Sequence, residues 1–200
     1  GITGRRQFTD ALTRQIDAHA KSGRQLAIHV IDIDRFRTVN EMLGEAEGDA
    51  LLRLVSERLL VLVNHAERLA RIGDDEFAVI QPEVGGARHA EIYARRIQET
   101  VKDACAQMPR HARPGASLGV AVCPEHGDDA AKLIHSASLA MHAAKRAGGD
   151  AFRVFSLEIV VGFGTEPAFA GQPNSVQVVV THGGEPVTDL GVTLDVEVGF

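Results

Sequence analysis

The chain has 200 residues, of which 44% are apolar, enough for one ordinary domain and a small second unit. A formal net charge of -6 argues against a broad basic face, and so against nucleic acid or an anionic membrane as the main partner. No apolar run approaches the ~18 residues of a membrane span, and no signal peptide is visible. Gly1 at the start leads us to expect a fragment of something longer.

In chain order, residues 7–20 predict a helix, with Phe8, Leu12 and Ile16 at four-residue spacing. "QLAIHVIDID", 25–34, is a short apolar run ending in acids, the pattern of a buried central strand. "GDALLRLVSERLLVLV", 48–63, predicts a helix with Asp49 as an acid near its start. Residues 68–72 and 76–82 predict two strands of a hairpin around Gly73. Gly85 and Gly86 break the chain before a helix over 87–107. "ASLGVAVC", 116–123, predicts a strand, 128–148 a helix, and 152–155 a last short strand. The order α-β-α-β-β-α-β-α-β implies a mixed sheet with helices on its faces. We therefore assign 1–156 to an α/β (α+β) domain with a central mixed sheet.

From 157 to 200 the pattern changes. Leu194, Val196 and Val198 alternate with Asp195 and Glu197, Gly183-Gly184 signals a turn, and 165–174 is a Pro/Gly-rich loop. This segment is expected to be β-rich, an incomplete sandwich or a fused tail. About 44 residues seldom bury enough surface to fold alone.

Two cysteines, Cys105 and Cys123, have neither metal nor redox spacing and are expected to be buried small hydrophobes, suited to a reducing compartment. Nine histidines carry no metal spacing, since His135 and His142 stand two helical turns apart. The arginine pairs Arg5-Arg6 and Arg95-Arg96 read as solvated helix faces.

The acids are more informative. Asp32 and Asp34 end the first long strand, while Asp74, Asp75 and Glu76 crowd the hairpin turn. If strand and hairpin are neighbours, Asp32 and Asp75 converge, and converging carboxylates repel unless a cation lies between them. Oxygen ligands select a hard ion such as magnesium, which finishes its shell with water and substrate phosphates. A pair of such ions can activate a hydroxyl and stabilise leaving pyrophosphate. The bland alternative is a solvated acidic strand end.

The blocks "LAIHVIDIDRFRTVNEMLGEAEGDALL", "ARIGDDEFAVI", "ASLGVAVCPEHGDD" and "ASLAMHAAKRAGGD" together resemble the GGDEF family of diguanylate cyclases, over about residues 2–156. That resemblance implies a palm-like sheet similar to nucleotide cyclases and condensation of two GTP to cyclic di-GMP with Mg2+ (or Mn2+). It further implies that Asp32, the Ile33 carbonyl and Asp75 hold metal, and that Glu76 assists metal binding or deprotonation of the 3′-hydroxyl. Asn40 and Asp49 would meet the guanine edge. Phe36 backbone, Gly73 and Lys145 would lie against substrate, Lys145 at the phosphates. Catalysis would need a homodimer and cytoplasmic GTP, and the resemblance adds an upstream sensor or downstream signalling domain as a candidate partner.

Several positions depart from the family pattern. Asp74 replaces the second glycine of the signature and Gly149 replaces a phosphate-facing arginine. Ser138 and His142 replace Asp and Tyr, the opening "ITGRRQF" is shortened, and Asn64-His65-Ala66-Glu67 replaces the product-inhibition Arg-x-x-Asp. Glycine permits positive φ and close backbone approach. Aspartate adds a like charge that, at ~4 Å from a phosphate and an effective dielectric near 20, costs about 4 kcal/mol before magnesium offsets it. A transition-state loss of ~2.7 kcal/mol is already a hundredfold in rate. The expected function is therefore Mg-GTP binding with weak or no cyclase activity. The alternative is a non-catalytic regulatory or interaction module. A phosphoacceptor receiver also fits an acidic strand end and a late lysine, but "ASLGVAVCPE" lacks the aspartate that would end its middle strand. The tail resembles the opening of immunoglobulin-like domains of extracytoplasmic proteins, at odds with cytoplasmic GTP chemistry.

Overall fold

In the computed structural model, residues 2–156, 158–163, 176–182 and 185–186 are described. By its contacts the chain divides into Gly1–Phe155 and Ser156–Phe200. The first unit contains β1 (Thr3–Gly4), α1 (Arg5–Ser22), β2 (Gln25–Ile33), α2 (Phe36–Leu43), α3 (Glu45–Val63), β3 (Leu69–Arg71) and β4 (Glu76–Val84). It continues with α4 (Ala87–Cys105), β5 (Ala116–Cys123), α5 (Ala130–Arg146) and β6 (Phe152–Val154).

The strands form one six-stranded mixed sheet in the order β1-β3-β4-β2-β5-β6. β2 is central, antiparallel to both β4 and β5, while β1 and β6 pair in parallel at the edges. Strand β2 reads as a continuous apolar run because helices cover both faces of the sheet. Its even residues Leu26, Ile28 and Val30 pack with Phe8, Leu12 and Ile16 of α1 and with Leu133, Ala137 and Met141 of α5. Its odd residues Ile31 and Ile33 pack with Val39 of α2, Leu51, Val55 and Leu59 of α3, and Ile97 of α4. The α/β class with a mixed sheet is thus as the interleaved periodicities implied.

The period-two alternation also decides where the acids go. Asp32 and Asp34 share the face of Val30, toward α5. Gly119 of β5 brings α5 close: a Cβ there would lie 1.9 Å from the Ala137 carbonyl oxygen and 2.3 Å from the Met141 nitrogen. Helix α5 is capped by Asp129, whose side chain accepts from the Lys132 N–H at 2.8 Å.

Two elements lacked a prediction. The two-residue strand β1 is too short for periodicity to register. Helix α2 is one residue over two turns, entered through Arg35 at φ 56° and left through Gly44 at φ 92°. Its signal was Phe36, Val39 and Leu43 at helical spacing, all in the core layer of that face. Helix α3 begins at Glu45, not near Asp49, so Glu45 and Glu47 are the first-turn acids. The arginine pairs are not merely solvated: Arg5 Nε donates to the Ile72 carbonyl at 3.0 Å, and the Arg95 guanidinium lies 5.1 Å from the Phe152 ring centroid. Both cysteines are free and buried, and burial pushes the Cys105 thiol up to about 12.

In the second unit, β7 (Glu158–Phe163), β8 (Val176–His182) and β9 (Glu185–Pro186) form a three-stranded antiparallel sheet. The expected loop at 165–174, the turn glycines 183–184 and the alternating residues 194–198 lie outside the described residues. No described helix is long and apolar enough to cross a membrane.

Candidate active site

Backbone bonding builds the turn that carries the acids. The Ile72 N–H donates to the Glu76 carbonyl at 2.9 Å, and the Gly73 N–H to the same carbonyl at 3.3 Å. The Ile33 N–H donates to the Asp75 carbonyl at 3.2 Å, stitching the end of β2 to the turn. Arg71 clamps the outside, donating from Nη2 to the Asp74 carbonyl at 2.5 Å and from Nε to the Gly73 carbonyl at 3.2 Å. With Arg5 on Ile72, two arginines hold three successive carbonyls. Arg5 was expected to be solvated and Arg71 was not singled out from sequence, because nothing local says which carbonyls a long side chain will reach.

Asp32 stands opposite Glu76 in the β2–β4 register and is 3% exposed. Lys145, on the last turn of α5, brings its Nζ to 2.5 Å from Asp32 Oδ1. At that range the ammonium meets Oδ1 directly as its charged partner. We read the contact as an ion pair. Burial drives the Asp32 carboxyl up to about 6; Lys145 opposes that shift, and the charges of Asp75 and Glu76 add to it. Asp32, Asp75, Glu76 and Lys145 therefore do share one end of the sheet. Among the described residues, no three His, Cys, Asp or Glu side chains form a ready-made metal cage.

A second cluster lies across α2 and α3. Asn40 Oδ1 is buried without a hydrogen-bond partner. It lies over Gly48, where a Cβ would come within 1.8 Å of Asn40 Oδ1 and 3.0 Å of Phe36 Cζ. Gly48 thus makes room for both Asn40 and Phe36, a role that sequence reasoning missed; its signal was a glycine inside a helix. Asp49, next in the chain, is exposed, and its carbonyl accepts from Arg53 Nε at 3.2 Å. Gly73 plays a similar part at the turn, since a Cβ there would lie 2.9 Å from Glu76 Oε2.

The backbone distinguishes two of the departures. Gly73 and Asp74 both have negative φ, as the positive-φ residues all lie elsewhere, so Asp74 imposes no left-handed strain on the turn. Its side chain is exposed. What remains against Asp74 is charge and bulk near a nucleotide. At Gly149 the reverse holds. Gly148, Gly149 and Asp150 run at φ 117°, 75° and 50°, and a Cβ at Gly149 would lie 3.0 Å from Asp34 Oδ2. Asp34 holds this loop: it accepts from the Asp150 N–H at 2.7 Å and from the Ser117 hydroxyl at 2.7 Å. Asp34 is thus a positioning residue for the loop that follows Lys145.

The residues present fit a magnesium-bound nucleotide on two counts. Asp32 gathers with the charges of Asp75 and Glu76 around one ammonium, and Asn40 Oδ1 is a buried acceptor lacking a hydrogen bond, an atom of the kind that calls for a partner. One or two carboxylates with the remaining ligands drawn from phosphate and water is how magnesium is usually held.

Known proteins resemble this chain in sequence and in fold. The family described as "Diguanylate cyclase, GGDEF domain" matches residues 1–151. The diguanylate cyclase TpbB of Pseudomonas aeruginosa is 34% identical over 163 residues, covering 78% of this chain and 36% of its own length. The cyclic di-GMP phosphodiesterase NbdA of the same organism is 30% identical over 161 residues, 80% of this chain and 20% of NbdA. The chain therefore spans only a fifth to about a third of these curated relatives. The crystal structure of the TpbB GGDEF domain superposes with a TM-score of 0.65 at 30% identity, covering 79% of this chain and 99% of that one. A sensory box/GGDEF family protein from Caulobacter crescentus gives 0.66 at 34%, covering 74% and 96%.

Proposed function

This chain belongs to the diguanylate cyclase GGDEF-domain family, a domain of cyclic di-GMP signalling, and from that premise we propose that it binds GTP with magnesium and condenses it slowly. The observation that carries the reading is the gathering of Asp32, Asp75, Glu76 and Lys145 at one end of the sheet, together with Asn40 Oδ1 as a buried acceptor without a hydrogen bond. Asp32, the Ile33 carbonyl and Asp75 would hold Mg2+ (or Mn2+), which supplies charge for the phosphates and the attacking hydroxyl. Asn40, with Asp49, would accept from the guanine edge. Lys145 would meet the phosphates. Glu76, half-buried at the start of β4, would take the 3′-hydroxyl proton as that oxygen attacks the α-phosphorus of a second GTP and pyrophosphate leaves.

That second GTP belongs to a second copy of the domain, so turnover requires a homodimer. GTP as substrate places this part of the chain in the cytoplasm, under a sensor or signalling domain elsewhere in the protein. The slowness is supported by the exposed Asp74 charge beside the turn and by Gly149, where no arginine helps Lys145 with the phosphates. We take 157–200 as a β-rich segment with a structural or interaction role, similar to the opening of an immunoglobulin-like domain.

A non-catalytic regulatory module is the second reading, favoured by the likeness to NbdA, whose name is that of a phosphodiesterase. Titration with GTP and Mg2+ by calorimetry, followed by chromatographic assay for cyclic di-GMP, separates the two. Saturable binding with little product is the expected result. Turnover at the pace of an efficient cyclase would remove the slow-enzyme claim, and no binding at millimolar GTP would leave the regulatory module. Asp74→Gly should raise turnover, because it removes a charge without altering a strained backbone.

A further inference from the structure

The end of β2 collects three carboxylates, and a single ammonium is drawn into their midst. Asp32 is the most buried of them, at 3% exposure, and a carboxylate that deep stays ionised only beside a cation. Lys145 supplies that cation at 2.5 Å, while its own side chain keeps 34% of its exposure. It stands on the last turn of α5, so four side-chain torsions can carry the ammonium outward without moving the helix. A divalent cation cannot settle on an oxygen that an ammonium already contacts, because the two positive charges repel at that range. Nor can the ammonium simply leave, since its departure strands the remaining acids together.

We propose that Lys145 is a built-in substitute for the metal: it holds Asp32 until nucleotide phosphates draw it away, so that metal and nucleotide enter as a coupled pair. This rests on the reading above, in which Asp32 is a metal ligand. The phosphates supply the ammonium with a second anionic partner, and the metal supplies Asp32 with a second cation. Each ligand thereby removes what opposes the other, and the coupling is reciprocal. Bare metal binds weakly, as does nucleotide without metal.

The test is titration of Mn2+ followed by electron paramagnetic resonance, on the full 200-residue chain at neutral pH. Without nucleotide, Lys145→Met and Lys145→Gln should each bind Mn2+ at least about tenfold more tightly than the parent, which corresponds to roughly 1.4 kcal/mol. Lys145→Arg, which keeps the charge, should stay weak. Adding a GTP analogue with a methylene between its α and β phosphorus atoms should tighten Mn2+ binding by the parent and do so much less in Lys145→Met. A structural role for the lysine alone would not tighten bare Mn2+ binding while shrinking the gain that nucleotide brings. Unchanged or weaker Mn2+ binding in both neutral variants, with binding still lost in Asp32→Asn, overturns the lysine proposal and leaves the metal-ligand reading standing. Equal Mn2+ binding in Lys145→Met and Asp32→Asn/Lys145→Met removes that reading and this proposal with it.

Discussion

Gly48→Ala isolates the nucleotide site from the fold. In a helix interior, alanine is favoured over glycine by about 0.8–1.0 kcal/mol, so propensity alone predicts a more stable α3. The added Cβ, however, would lie 1.8 Å from Asn40 Oδ1 and 3.0 Å from both Asn40 Cγ and Phe36 Cζ. Asn40 cannot keep its rotamer; it must swing away, and with it goes the acceptor proposed for the guanine edge. Losing one buried hydrogen bond to a ligand costs about 1–3 kcal/mol, or roughly 5- to 150-fold in GTP affinity. Thermal unfolding should change by only a few degrees, because Asn40 moves as a side chain and the propensity gain offsets part of the crowding. Calorimetric GTP titrations of the parent, Gly48→Ala, Asn40→Ala and the double variant complete a cycle. If Gly48 acts through Asn40, adding Gly48→Ala to Asn40→Ala costs almost nothing further. Unchanged GTP affinity in the single Gly48→Ala variant would refute the steric reasoning. Additive losses would show that Gly48 acts on Phe36 or the backbone instead.

Three other outcomes follow from the packing. His29 is fully buried between Gln81, 2.9 Å from its Nε2, and the Tyr93 ring, and burial lowers its pKa from 6.5 to about 4. The unfolded chain thus binds a proton that the fold refuses, so this stability is complete above pH 6.5 and falls on acidification, by about 2 kcal/mol at pH 5 and about 3 at pH 4. Urea melts across that range should show a steeper acid loss in the parent than in His29→Leu/Gln81→Leu. Gly119→Ala sets a methyl 1.9 Å from the Ala137 carbonyl oxygen and 2.3 Å from the Met141 nitrogen, both backbone atoms that no rotamer change can relieve. We expect a loss of about 1–3 kcal/mol, read as a fall of several degrees in calorimetric Tm. Gly149→Arg, which restores the arginine usual in the family, should lower stability, because it meets a left-handed φ of 75° and the Asp34 carboxylate at 3.0 Å. Faster hydrogen exchange at the Asp150 amide would mark loss of its bond to Asp34; undiminished stability with higher cyclase turnover would contradict this.

The layered sheet and the gathering of acids at one end of it were legible in the sequence, because both are written in short-range patterns. Alternation along β2 decides which residues face α5 and which face α3, and a register of two fixes Asp32 on the α5 side whatever the rest of the chain does. The hairpin at Gly73 follows from turn chemistry within a dozen residues. Helix α2 escaped because eight residues hold barely two turns of periodicity, and Asp49 looked like a first-turn acid because the start of α3 lies in a glycine linker with no capping side chain.

What local pattern could not decide is which side chains meet across the fold. Lys145 reads as one more helix-surface lysine until the close seat of α5 on Gly119 lowers its last turn onto Asp32. Gly48 reads as a weak spot in a helix until Asn40 from the preceding helix arrives above it. His29 is one polar letter in an apolar strand until Gln81 and Tyr93 close over it. Asp74 and Gly149, alike as departures from a family pattern, prove opposite in backbone: one sits unstrained, the other needs its missing side chain. Periodicity encodes how much of each element is buried, a property of that element alone. A contact between distant residues depends on how helices and strands seat against one another, to within an ångström or two, and that is a property of the packed whole.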